Sequence, residues 1–224
     1  MKGPGVFVTG TDTGVGKTYA SCVLLHALRS SQHRATGMKP VASGCEPTPQ
    51  GLRNDDALAL LAASDPATDY ALCNPFALRE PIAPHLAARA MGIEIALDPI
   101  VEAYATIARS CDRIVVEGVG GWAVPLSESL MQVDLVRALD VPVILVVGLR
   151  LGCINHALLS VRAIEADGCR LVGWIANRID PAMASADANL DALTTRLAAP
   201  LLGVLDHAPR AMPAHALVGA IARL

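Results

Sequence analysis

Val6-Phe7-Val8-Thr9-Gly10-Thr11-Asp12-Thr13-Gly14-Val15-Gly16-Lys17-Thr18 joins a short apolar run to a glycine-bearing turn and a Gly-Lys-Thr triplet. The segment that follows, Tyr19 to Leu25, reads as a helix. Strand, glycine loop and helix in that order make a cradle for nucleotide phosphates. Backbone N–H groups point inward and the helix N-terminus adds positive potential. Lys17 reaches the terminal phosphates, and the Thr18 hydroxyl can ligate Mg2+. The usual signature puts four residues between its glycines. Here five separate Gly10 from Gly16, and Thr11 stands where the first glycine belongs.

Working outward, 224 residues are enough for one sizeable α/β core, so residues 1–224 read as a single domain. Hydrophobic residues make up 53% of the chain and aromatic ones only 3%. That balance suits Ala- and Leu-rich helices packed on a Val-rich parallel sheet better than a β-sandwich. A net charge of −3 leaves no electrostatic case for nucleic acid or an anionic membrane as partner. Cys22, Cys45, Cys73, Cys111, Cys153 and Cys169 are scattered, without a C-x-x-C pair, and read as reduced thiols. The N-terminus enters a strand without a signal-peptide pattern, and no apolar run approaches the roughly 20 residues of a membrane helix. A soluble, cytoplasmic protein is expected.

Strand and helix signals alternate along the chain. Ala35 to Lys39 reads as a second strand stopped by Pro40, and a Gly/Pro/Thr-rich loop runs through residue 54. A helix follows from Asp56, and residues 65–85, with Pro66, Pro75, Pro81 and Pro84, read as irregular. Next come a helix over 98–109, a buried strand Arg113 to Glu117, a glycine loop 118–121 and a short helix over 131–139. Strands are expected at Val143–Val147, Leu171–Ala176 and Leu201–Leu205, with helices over Leu151–Ala166, 184–198 and from about 214. Strands separated by helices imply a mainly parallel sheet covered on both faces, with ligands at the carboxyl ends of its strands.

Several residues fall on that edge. Glu117 ends an apolar strand, where an acid can bind Mg2+ directly or through water, and Gly118, Val119, Gly120 and Gly121 leave backbone N–H groups free to approach an anion. Lys39 ends the second strand; alone it reads equally as solvated surface or anion clamp. Asp55 and Asp56 precede a helix, where each reads as a cap or dipole partner, and sequence physics does not rank them. Leu151 to His156 is a strand-to-helix loop with free N–H donors, read by default as a plain cap. Trp122 and Trp174 read as packing residues. His85, His156 and His207 have no metal-ligand spacing.

In combination these segments resemble the dethiobiotin synthetase family, ATP-dependent carboxylases of biotin synthesis. Carrying the resemblance are Thr9–Thr13 with Val15–Thr18, Lys39-Pro40-Val41-Ala42-Ser43-Gly44, Gly51–Ala57, and Glu80-Pro81 with Pro84-His85. Val116–Trp122, Gly152–His156 and Gly173–Asn177 continue it over most of the chain. The family shares the lengthened glycine spacing. The resemblance implies a P-loop NTPase-like three-layer fold and a homodimer with active sites at its interface. It implies ATP and Mg2+ as cofactors, with 7,8-diaminononanoate and CO2 as substrates. Thr13, Gly14, Val15, Gly16, Lys17, Thr18 and Tyr19 would hold the nucleotide, with Gly118 to Gly120 nearby and Asn177 at its base. Thr18, Asp56 and Glu117 would hold Mg2+, which favours Asp56 over Asp55. Lys17 and Lys39 would carry the catalytic charge. Thr13, Ser43, Lys39 and Gly120 would contact the diamine or its carbamate. Gly152, Cys153, Ile154 and Asn155 of the partner subunit would bind the substrate carboxylate. The chain departs from the family pattern at Gly14, at Arg178 and over Asp206-His207-Ala208-Pro209.

Two other classes compete. Switch ATPases of the partition and septum-site type share such a fold but carry a second lysine early in the loop, where Asp12 stands here. An amide-forming cobyrinate-type synthetase would need a fused glutaminase domain, for which the length leaves no room.

Overall fold

The apolar run before the glycine loop is the middle of a parallel sheet. A computed structural model describes residues 4–207 and 213–223. In chain order they form β1 (Gly5–Gly10), α1 (Lys17–Ser30), β2 (Ala35–Met38), β3 (Val41–Ala42), β4 (Glu46–Thr48) and β5 (Gly51–Arg53). Then follow α2 (Asp55–Ala63), α3 (Tyr70–Cys73), β6 (Phe76–Ala77), α4 (Pro84–Ala90), α5 (Leu97–Ala108) and β7 (Arg113–Glu117). The remainder is α6 (Gln132–Leu139), β8 (Val143–Gly148), α7 (Cys153–Ala166), β9 (Leu171–Asn177), α8 (Ala186–Arg196), β10 (Leu201–Leu205) and a 3-10 helix (Ala214–Arg223).

The six-stranded sheet has the order β10-β9-β8-β1-β7-β2, and every neighbouring pair is parallel. Residues of β1 alternate between its faces, the period-2 consequence of the pleat. Phe7 joins one core with Ile100, Tyr104 and Ile107 of α5, Leu135 of α6 and Ile164 of α7. Val6 and Val8 join the other with Val23, Leu24 and Leu28 of α1, Leu60 of α2 and Leu217 of the 3-10 helix. Both faces are therefore covered, which is why β8 (Val-Ile-Leu-Val-Val-Gly) is apolar without interruption. The result is a three-layer α/β fold with a parallel central sheet, as the strand and helix pattern implies.

Local departures from the sequence reading have short-range causes. Asp55 and Asp56 lie in the first turn of α2 rather than before it, because Asn54 takes the cap and its side chain accepts the Ala57 N–H. The loop before residue 54 contains β3 and the hairpin β4–β5, and the proline-bearing stretch contains α3, β6 and, from Pro84, α4. Pro84 opens α4 at a position where no backbone N–H is needed. Helix α7 starts at Cys153, not Leu151, because Gly152 is left-handed (φ 95°). The terminal helix from Ala214 is 3-10 in hydrogen bonding. Among the described residues no helix is long and apolar enough to cross a membrane.

The chain passes from β1 to β2 by skipping the slot that β7 fills later, whereas β8, β9 and β10 extend the opposite side. The reversal beside β1 opens a crevice at the carboxyl edge. The glycine loop, Lys39 and residues 149–152 follow strands at that edge, and Glu117 ends one there.

Candidate active site

Residues 11–16 turn from β1 into α1. Gly16 caps α1 with φ 85° and no side-chain cap hydrogen bond, so the first N–H groups of the helix stay available to an anion. A side chain at Gly16 would be strained and would run into the Asn177 amide. Lys17 is buried, and its Nζ donates to the Asp12 carbonyl oxygen at 3.1 Å, folded back across the loop. Burial first, and the nearby Lys39 charge second, lower its pKa to about 8 despite Glu117, Asp56 and Asp12. An anion entering the loop would favour the ammonium and raise this value.

The strand-end carboxylate and the strand-end lysine meet. Glu117 is fully buried and Lys39 is 3% exposed, and Lys39 Nζ donates to Glu117 Oε1 at 2.6 Å. The same ammonium donates to Asp56 Oδ2 at 3.0 Å and to the Gly118 carbonyl at 3.2 Å. Burial alone would lower the Lys39 pKa, but Glu117 and Asp56 outweigh it and raise it, so the ammonium is secure. Asp56, which burial would raise, is held below its ordinary value by Lys39, the Thr18 hydroxyl and Lys17. Thr18 Oγ1 donates to Glu117 Oε1 at 2.8 Å. Glu117 Oε2 is buried without a hydrogen-bond partner, an exception to the rule that buried polar atoms are satisfied.

A cavity of about 890 Å3 opens above this cluster. Thr13, Gly14, Gly16, Lys17, Thr18, Tyr19, Lys39, Ser43, Asp56, Glu117, Val119 and Gly120 all line it. Ser43 Oγ is buried there without a partner. Val15 lies beneath the loop at 1% exposure, and its carbonyl accepts from Asn177 Nδ2 at 2.9 Å. Gly118 supports the wall, where a Cβ would stand 2.7 Å from Gln132 Oε1 and 2.8 Å from Phe7 Cζ. The Gly152–Asn155 turn does not reach this cavity within the chain: Gly152 is an uncapped N-terminus of α7 and Cys153 is buried beneath it. Arg178 turns away to pair with Asp187 and Asp206, while Ala208 and Pro209 lie outside the described residues. Trp174 is fully buried, and Trp122 is packed with its Nε1 donating to Asp167 at 2.7 Å.

Three supporting residues escaped the sequence reading. Gln132, buried at the start of α6, accepts from the Val119 N–H at 2.8 Å and donates to the Gly121 carbonyl at 2.6 Å, bracing the glycine loop at both ends. Asn74 Nδ2 donates to the Lys39 carbonyl at 2.7 Å and fixes the backbone that carries the ammonium. Arg150 pairs with Asp12. A lone Gln, Asn or Arg far along the chain carries no spacing signal that would mark it.

An ammonium between two carboxylates, a second lysine in an anion cradle and an all-oxygen donor set together suit the handling of a triphosphate. Solved structures with the same architecture include the MinC:MinD cell division complex of Aquifex aeolicus (TM-score 0.60, 16% identity, covering 98% of this chain and 94% of that one). A ParA family ATPase from Chlorobium tepidum TLS is similar (TM-score 0.59, 13% identity, covering 98% and 99%). At such identities the likeness speaks for the P-loop fold alone. Residues 4–215 match the family described as "AAA domain". Proteins named ATP-dependent dethiobiotin synthetase are much nearer in sequence. That of Xanthomonas euvesicatoria pv. vesicatoria (strain 85-10) is 60% identical over 94% of both chains. That of Xylella fastidiosa (strain 9a5c) is 57% identical over 91% of this chain and 90% of its own. With that identity across nearly the whole length, the chain belongs to the dethiobiotin synthetase family of ATP-dependent ligases.

Proposed function

We propose that this chain makes dethiobiotin from 7,8-diaminononanoate, CO2 and ATP, as one domain working within a cytoplasmic homodimer. The observation that carries the reading is Lys39, buried and charged between Asp56 and Glu117 on the floor of the cavity. One amine of the substrate takes up CO2 and loses a proton to become a carbamate. A carbamate oxygen attacks the γ-phosphorus as the bond to ADP breaks, giving a carbamic–phosphoric anhydride. The second amine attacks the carbonyl carbon and gives up a proton, phosphate leaves and the cyclic urea closes.

Carbamate and triphosphate repel each other, so bringing them into line needs fixed positive charge. Lys17 binds the terminal phosphates from the loop, and Lys39 bridges them to the carbamate. Thr13 and the unpartnered Ser43 hydroxyl on the cavity wall orient the diamine. The backbone at Gly120 on the cavity wall and the uncapped N–H groups at the α1 terminus receive the oxygens.

Mg2+ fits Thr18, Asp56 and Glu117: all three offer hard oxygen donors, and Glu117 Oε2 is buried without another partner. When bound, Mg2+ would neutralise charge on the β- and γ-phosphate oxygens. Asn177, anchored to the Val15 carbonyl, is the base-side residue of this reading. The turn at Gly152, Cys153, Ile154 and Asn155, which does not line its own chain's cavity, binds the substrate carboxylate in the partner's site.

Purified protein given diaminononanoate, bicarbonate, Mg2+ and ATP should yield dethiobiotin and ADP in equal amounts. ATP turnover without that product, stimulated instead by a protein or lipid, would indicate a switch ATPase. In the same assay Lys39→Ala should lose about 10²–10³-fold in kcat and keep most nucleotide affinity. Its fold needs checking, because stranding Glu117 costs about 3–5 kcal/mol.

A further inference from the structure

Asp12 is electrostatically misplaced for a loop that binds triphosphate. Its main-chain carbonyl holds Lys17 Nζ at 3.1 Å, so it sits within the phosphate loop itself. Yet its side chain is turned outward by two contacts. Oδ1 accepts the Thr13 N–H at 2.7 Å, and Oδ2 accepts from the Arg150 guanidinium on the turn between β8 and α7. The Thr13 hydrogen bond first, then Arg150 and more weakly His156, hold the carboxyl below its ordinary range against the opposing effect of burial. Asp12 is therefore a permanent anion. The ion pair is about half exposed at both ends, the class of pair that does little for stability. It joins two elements separated by 138 residues of sequence, beside the cradle.

We infer that Arg150 is a positioning residue for nucleotide binding: it holds the Asp12 carboxylate away from the phosphates and cancels its charge. This rests on the reading of the loop as an ATP site. The lengthened spacing between Gly10 and Gly16 leaves room for a residue whose side chain serves the turn, through Thr13, rather than the ligand. The turn needs an acceptor at that place and the ligand cannot tolerate a bare anion there. Arg150 reconciles the two demands. Thr13, whose N–H is occupied by Asp12, is left to face the cavity with its hydroxyl, opposite Gly120.

Charge separates this role from a structural one. Arg150→Ala should weaken binding of a non-hydrolysable ATP analogue with Mg2+ about 5–20-fold in calorimetry, more at low salt than at high. Asp12→Asn keeps an oxygen for the Thr13 N–H and removes the charge. Combined with Arg150→Ala it should restore affinity to within about twofold of Asp12→Asn alone. Arg150→Lys should retain most of the affinity, and circular dichroism with thermal melts should match across the set. Unaltered affinity in Arg150→Ala would overturn the inference. So would a double variant as weak as Arg150→Ala, since Arg150 would then act on the ligand or the loop by another route. If the unaltered protein itself fails to bind the analogue, the nucleotide reading falls, an outcome visible before any variant is made.

Discussion

Lys17 and Lys39 show how one residue type acquires two characters within a single cavity. Lys39 has Glu117 and Asp56 against it and stays charged; Lys17 has only the Asp12 carbonyl and, lacking such a partner, is lowered to about 8. The sign of its linkage follows. Between pH 8 and about 10.5 the unfolded chain binds a proton on this lysine that the folded chain has lost, so this group's destabilising contribution is relieved as pH rises through that window. Nucleotide binding runs the opposite way, since the phosphates require the ammonium. Calorimetry at pH 8.5 in buffers of different ionisation enthalpy should show uptake of a fraction of a proton per ATP bound, and affinity should fall as pH rises past about 8. Equal heats in all buffers would count against it. The sequence made Lys17 legible through its loop, whereas for Lys39 strand-end position alone was ambiguous. What decides Lys39 is a carboxylate 78 residues away, information that no local pattern contains.

At the level of elements, the strands and the long helices were legible because their apolar residues repeat at the periods of a buried strand or an amphipathic helix. The hairpin β4–β5 and the one-turn α3 were not, since two or three pairs of backbone bonds need no such repeat. Family resemblance chose Asp56 over Asp55, and the cap explains the geometry: Asn54 starts α2, which points Asp56 toward Lys39 and leaves Asp55 exposed. Helix α2 approaches β2 closely at Gly37, where a Cβ would lie 2.8 Å from Leu60 Cβ and 3.0 Å from Leu25 Cδ1. Gly37→Val should therefore cost about 1–3 kcal/mol in denaturant unfolding by overpacking. Because α2 carries Asp56 and β2 leads to Lys39, the variant should also lose turnover out of proportion to its unfolded fraction. A change in stability alone would mean that the site tolerates this displacement.

For the whole molecule, the sheet order brings the phosphate loop, Lys39 and Glu117 together, and the Gly152 turn does not line the cavity they form. A site completed by a second subunit can be tested by complementation. Mixing Asn155→Ala protomers with Lys17→Ala protomers should return activity, because each heterodimer has one site with an intact loop and an intact turn. Random mixing at equal concentrations makes about half of the dimers hybrid, so recovery should approach a quarter of the unaltered activity. No recovery, with heterodimers shown to form, would mean that each chain works alone.

Thr18 lies 99 residues before Glu117 and Lys39 lies 78 before it, yet the three side chains share one cluster. No hairpin or helical segment of the chain holds even half of that cluster. Without β7 in place between β1 and β2, Glu117 has no lysine to meet and the cradle has no floor. The pocket thus exists only where the sheet is complete, and a nucleotide can recognise only a chain whose sheet is closed. A stalled or clipped intermediate would be blind to ATP, and the ligand would act as an inspector of finished molecules.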